Sequence, residues 1–222
     1  MFNIKNTLIK KFAPSKREHI LKAALDLFIQ QGFEKTPTSM ISKAANVATG
    51  TLFHHFKTKE ELISALYLDI KLSLQSALLV STDSELLPDK NNMDELMIKN
   101  IFYRVWFSMI SWFLDNPNEF KFLSQFSDSA HINGETRERV EDAFSEWKVL
   151  FEAGQKIHVF NKLPADLLLG LVTSHVFTSC NFLLDNNSLW QKKNVQVSLF
   201  ESCWSQLMPT TQSQSVALVK VK

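Results

Sequence analysis

Only five glycines and six prolines punctuate this chain of 222 residues. Between these breakers apolar residues recur at intervals of three and four, and the alternation of a half-buried strand is nearly absent. The pattern predicts an all-α fold without internal repeats. The length allows one large domain or two modest ones, with a core that needs no metal or disulfide.

Helix start signals give the order of the elements. Ser15 followed by Glu18 forms a capping box, after which Ile20, Ala24, Leu27 and Phe28 make one stripe. Gly32 is expected to end that helix as a left-handed cap. Thr36-Pro37 reads as an N-cap followed by proline at the first helical position, opening a short helix through Ala45. After a turn at Asn46-Val47 a second short helix is predicted from about Thr49 to Phe56. Thr58 and Glu61 form another capping box, feeding a long helix through Leu62, Ile63, Leu66 and Ile70 toward Val80.

Ser81–Asn92 reads as a polar loop, and further helices are predicted near Met93–Asp115, Pro117–Asp128, Glu135–Phe160, Pro164–Asp185 and Asn194–Met208. The expected organisation is a flexible basic arm at 1–14, a three-helix domain at 15–62, a larger helical domain at 63–208, and a flexible tail at 209–222.

Charge singles out one end. Residues 1–60 hold ten basic and four acidic side chains, a net of +6, and the remaining 14 basic and 19 acidic residues net −5. A polyanion is expected at the basic end. There the two short helices and their tight turn form a helix-turn-helix, whose second helix can enter a major groove about 12 Å wide. Ile41, Ala44, Ala45 and Val47 supply a small apolar seam. Leu52 and Phe56 turn the second helix inward, leaving Thr49, Thr51, Phe53, His54 and His55 outside or at its edge.

Gly32-Phe33, Thr36, Ile41, Ala45, Val47, Gly50-Thr51-Leu52-Phe53, His55-Phe56 and Lys59-Glu60-Glu61-Leu62 resemble the signature of the tetracycline-repressor family over roughly residues 16–63. The resemblance implies a transcriptional regulator that acts as a homodimer on double-stranded operator DNA, with a C-terminal ligand domain. It implies that Thr49, Gly50 and Thr51 approach bases or phosphates, that His55 and Lys59 contact the backbone, and that Thr36, Pro37 and Thr38 meet phosphate. Phe53 and His54 complete the candidate DNA-binding set. Three positions depart from the family pattern: the turn glycine is Asn46, the serine before the recognition helix is Ala48, and the usual tyrosine is Phe53. Ala48 cannot cap, so Thr49 is expected to cap in its place. His54 and His55 also fit a plain solvated helix surface, and the lysines of residues 1–17 fit either a solvated run or a DNA-binding arm.

Aromatics crowd the segment from Phe102 to Phe126. Spacing places Phe102, Trp106 and Phe113 on one buried face, while Tyr103, Trp106, Trp147 and Phe151 are candidates to line a pocket for a small hydrophobic or aromatic effector. The last two helices are apolar around much of their circumference, and family similarity makes them the dimer interface. Cys180 and Cys203 read as buried packing residues in a reducing cytoplasm. No metal-ligand spacing, nucleophile elbow or phosphate-cradling loop is evident, so neither catalysis nor a cofactor is expected. No uninterrupted apolar run of about 20 residues suggests a membrane span. Two other readings stay open: a regulator without a small-molecule ligand, controlled by a protein partner, and a membrane-surface role for Ile4–Phe12.

Overall fold

A computed structural model of the chain describes residues 14–81 and 93–209. Apart from Pro14, Ser81 and Pro209, the expected N-terminal arm, the loop at 81–92 and the tail lie outside the described residues. Among those described, every regular element is helical: α1 Lys16–Gln31, α2 Thr38–Ala44, α3 Thr49–His55, α4 Lys59–Ser81, α5 Glu95–Asp115, α6 Pro117–Phe126, α7 Gly134–Ala143, α8 Ser145–Lys156, α9 Ala165–Asp185 and α10 Lys193–Ser205, with a 3-10 turn at Asn187–Leu189.

These elements form two compact units. One runs to Lys71 and takes in Asn118–Val140; the other comprises Leu72–Pro117 and the chain from Glu141 onward. The return of Asn118–Val140 to the first unit departs from the contiguous division at residue 62 expected from the sequence.

The core of the first unit is built by Ile20, Ala24 and Phe28 of α1, Ile41 of α2, Leu52 of α3, and Leu62 and Ile63 of α4, all fully buried. The Ser15 capping box forms: its N–H donates to the Glu18 carboxylate at 2.5 Å and its Oγ accepts from the Glu18 N–H at 3.2 Å. Hydrogen bonding to the Glu18 carboxylate, from the Ser15 N–H first and the Ser15 hydroxyl second, holds that carboxyl below its ordinary value. Gly32 does end α1 at positive φ (82°), but its ψ of 167° is extended, so the chain leaves the helix at once instead of turning through a left-handed cap. Phe126 of α6 packs its ring 6.3 Å from that of Phe28.

In the second unit, Phe102 on α5 is the hub of an aromatic core. Its ring lies 5.5 Å from Trp204, 6.1 Å from Phe200, and 6.2 Å from both Phe151 and Phe160. Gly154 makes this packing possible, because a Cβ there would clash with Cδ2 and Cε2 at the edge of the Phe160 ring. After α8 the chain reverses through His158 at φ 62°, with Val159 N–H donating to Gly154 O and His158 N–H to Gln155 O. That paired pattern is a Schellman motif built on a non-glycine residue.

The single helix expected over Glu135–Phe160 is interrupted. Phe144 departs from helical geometry (φ −103°, ψ 6°), and the Gln75 side chain donates to the Ala143 carbonyl, which thereby has a partner outside the helix. Cys180 and Cys203 are fully buried free thiols, which desolvation pushes up to about 12, far from the thiolate range.

Candidate nucleic-acid interface

The two short helices α2 and α3 are joined by a turn that satisfies its own backbone. Asn46 takes φ 53°, its N–H donates to Lys43 O at 3.1 Å, and the Val47 N–H donates to Ser42 O at 3.0 Å. This is a second Schellman motif, with asparagine tolerating the left-handed conformation. Ile41 and Ala45 are buried in the seam and Val47 is half-buried, whereas Ala44, expected in the same seam, faces solvent.

Leu52 and Phe56 point α3 inward, at 0% and 2% exposure. The opposite face carries the candidate contacts. Thr49, Gly50 and His54 are exposed, Thr51 and His55 are half-buried, and Phe53 is 44% exposed. Thr49 does not cap. The helix begins at Thr49 itself, Ala48 occupies the cap without a side-chain bond, and the Thr49 hydroxyl instead shares a hydrogen bond with Ser42 at 3.1 Å. A Cβ added to Gly50 would meet nothing within 4 Å, so packing inside the unit does not demand glycine there.

At the start of α2 the expectation shifts by one residue. Pro37 (φ −70°, ψ 149°) is the cap and Thr38 the first helical residue. Thr36 is fully buried, and its hydroxyl donates to the Gly32 carbonyl at 2.7 Å while accepting from Gln31 Nε2 at 3.2 Å. It thus satisfies a carbonyl left over at the end of α1 and has no route to a phosphate. Pro37 is exposed and Thr38 half-buried beside it.

Lys59 is also placed differently from the expectation of a backbone contact. Its ammonium donates to the Phe33 carbonyl at 2.8 Å and lies 4.1 Å from the centroid of the Phe33 ring. The same ring stacks on His131 at 3.9 Å, and His131 Nε2 is 3.5 Å from the Glu34 carboxylate. Arg17 is likewise engaged, 3.6 Å from Asp69 and over the Phe56 ring. Exposed positive charge near α2 and α3 comes instead from Lys35, Lys43 and Lys57, which the sequence reading had not singled out. Their proximity in sequence to the two helices was the available signal.

The expected effector residues fall elsewhere. Trp106, Trp147 and Phe151 are buried at 1%, 7% and 3% exposure, and Tyr103 is half-buried, edge-on to Phe200 at 4.9 Å. Two open grooves, of about 330 and 550 Å³, run along the first turns of α5 (Asp94 to Arg104) and between α1 and the end of α2. None of the four residues lines either groove.

This head is that of a known family. A family model described as bacterial regulatory proteins of the tetR family matches residues 20–66, and a tetracyclin repressor-like C-terminal domain model matches residues 98–212, just over half the chain. The chain belongs to the tetR family. It is 45% identical over 58 residues to the HTH-type transcriptional regulator AcrR of Shigella flexneri, covering 26% of this chain and 27% of that protein. The chain spans less than half the length of the first curated relatives it matches.

Likeness extends much further among solved structures. A chain assigned to the tetR family of transcription regulators from Shewanella sp. PV-4 aligns with a TM-score of 0.79 and 27% identity, over 89% of this chain and all of that one. A tetR family regulator from Marinobacter aquaeolei VT8 shares the fold at a TM-score of 0.73 and 20% identity, over 88% of this chain and 96% of that one. As a tetR family member the chain is a transcriptional regulator with a DNA-binding helix-turn-helix, in an all-helical fold.

Proposed function

We propose that the chain is a repressor: two copies bind a palindromic operator through α3, and a small hydrophobic or aromatic effector acting on the second unit releases them. The outward face of α3 carries the reading. It offers the Thr51 hydroxyl for hydrogen bonding, imidazoles from His54 and His55, and at Phe53 an apolar ring suited to a thymine methyl, while the Thr49 hydroxyl is shared with Ser42. Gly50, unneeded by the head's own packing, lets a DNA backbone come close. Pro37 and Thr38 at the start of α2 and the exposed Lys43 and Lys57 take the phosphate contacts in this reading, the role first expected of Lys59.

Two copies are called for by α9 and α10. Leu167, Phe182 and Val197 are 48%, 59% and 45% exposed, and only a third of the apolar stretch Ala165–Asp185 is buried. A homodimer covers such faces and sets two recognition helices on one face of a duplex in the cytoplasm. Selection from a pool of random duplexes by the full chain tests this function. Enrichment of a palindrome supports it, and folded protein that enriches nothing overturns it.

The packed state of Trp147 and Phe151 favours one other reading, in which a protein partner rather than a small molecule controls release. Operator binding that no apolar compound alters, but that cell extract relieves, selects it.

A further inference from the structure

In the second unit two buried polar atoms have no partner among the described residues: the indole Nε1 of Trp106 on α5 and Nδ1 of His175 on α9. Their rings are 6.3 Å apart, centroid to centroid. Trp106 is 1% exposed, and its neighbours are Tyr103, Trp190 and Phe200 at 6.4, 6.0 and 5.5 Å. Buried polar groups in folded proteins are almost always paired, because an orphan loses its bond to water and gains nothing. Phenylalanine would place an aromatic ring there without an orphan of this kind.

We propose that Trp106 and His175 form the polar end of the effector site and that they recognise a hydroxyl on an apolar or aromatic ligand, such as a phenol. The indole can only donate, so the ligand atom must accept. The imidazole either accepts or donates through Nδ1 depending on its tautomer, and a hydroxyl oxygen answers both cases. It accepts from the indole and either donates to a bare Nδ1 or accepts from a protonated one. Burial holds His175 below the ordinary imidazole value, hence neutral, so a carboxylate finds no compensating charge. The ring cluster suits the apolar body of such a ligand. His175 remains half-exposed although its Nδ1 is covered, and Tyr103 and Phe107 are also half-buried.

This site deepens the proposed function and rests on the second unit being a sensor. The test is a titration of the full chain, with its tryptophan indoles labelled with ¹⁵N, using 4-propylphenol and, in parallel, propylbenzene. The Trp106 indole resonance, assigned by its loss in Trp106→Phe, is expected to move further with the phenol, which adds a hydrogen bond, than with propylbenzene. Trp106→Phe keeps an aromatic ring and should weaken phenol binding about tenfold more than it weakens propylbenzene binding. His175→Leu should act in the same direction. A still resonance, equal affinity for the two probes, or a bound water on the indole that phenol does not displace overturns the site. Release of a selected operator duplex is scored separately. Binding at Trp106 without release overturns the sensor reading, and release with a still resonance overturns the site alone.

Discussion

Replacing Lys59 by methionine separates two roles that one residue could play. In the structure its ammonium holds the Phe33 carbonyl at 2.8 Å and sits 4.1 Å from the Phe33 ring, tying the start of α4 to the segment between α1 and α2. A hydrogen bond from a charged group contributes about 1.5–3 kcal/mol and an exposed cation–π contact about 0.5–1 kcal/mol. The site is half-buried and methionine retains the packing of the stem, so the expected loss is about 2 kcal/mol. Urea denaturation followed by circular dichroism reads that loss as a lower midpoint at constant slope. If the clamp is the whole role of Lys59, the salt dependence of operator affinity keeps its slope in the folded variant. A phosphate contact predicts the reverse: unchanged stability and a slope smaller by about one unit. That second outcome would refute the assignment of Lys59 as a clamp.

Three further expectations follow from packing and charge. Gly154→Ala forces a methyl into the Phe160 ring and should cost about 1–3 kcal/mol, measured by thermal unfolding; a neutral result would mean that α8 and Phe160 are not in contact. Burial pushes the Lys71 ammonium from 10.5 down to about 8, so the unfolded chain binds more protons between those values and stability rises with pH across that window. Lys71→Met should remove the rise, and variant and parent that change in parallel from about pH 8 to about pH 10 would contradict the burial of that charge. Leu167→Glu with Phe182→Glu should convert the proposed dimer to a monomer by sedimentation equilibrium, whereas an intact dimer would place the interface elsewhere.

What the sequence disclosed was local. The capping box at Ser15, the turn at Asn46-Val47 and the inward pair Leu52 and Phe56 are each set by residues within a few positions of one another, and the structure reproduces all three. At Thr58 the signal was half right: the hydroxyl accepts from the Glu61 N–H, but the Glu61 carboxylate reaches back to the Lys57 N–H. The departures come from partners distant in sequence or from a backbone angle. Thr36-Pro37 fits a helix starting at either Pro37 or Thr38. The extended ψ of Gly32 accompanies a chain path that puts the Thr36 hydroxyl on the Gly32 carbonyl and buries it.

Lys59 finds its carbonyl 26 residues away, and the bond from Gln75 at the helix break before Ser145 crosses 68 residues. No periodicity within a window encodes either contact. The aromatic segment was legible as apolar and no more. Spacing marked Phe102, Trp106 and Phe113 as core, which they are, but it carried no sign that the Trp106 nitrogen would be left without a partner.

The measurement that bears most directly on the central claim is a pair of duplex selections, one by the parent chain and one by Thr51→Ala. The account predicts that the parent enriches a palindrome whose half-sites are centred one helical turn, about 34–36 Å, or a multiple of it apart. It predicts that Thr51→Ala enriches half-sites changed at a base pair facing α3. The same half-site from both proteins, or no enrichment by folded parent protein, would contradict the assignment of α3 as the element that reads DNA.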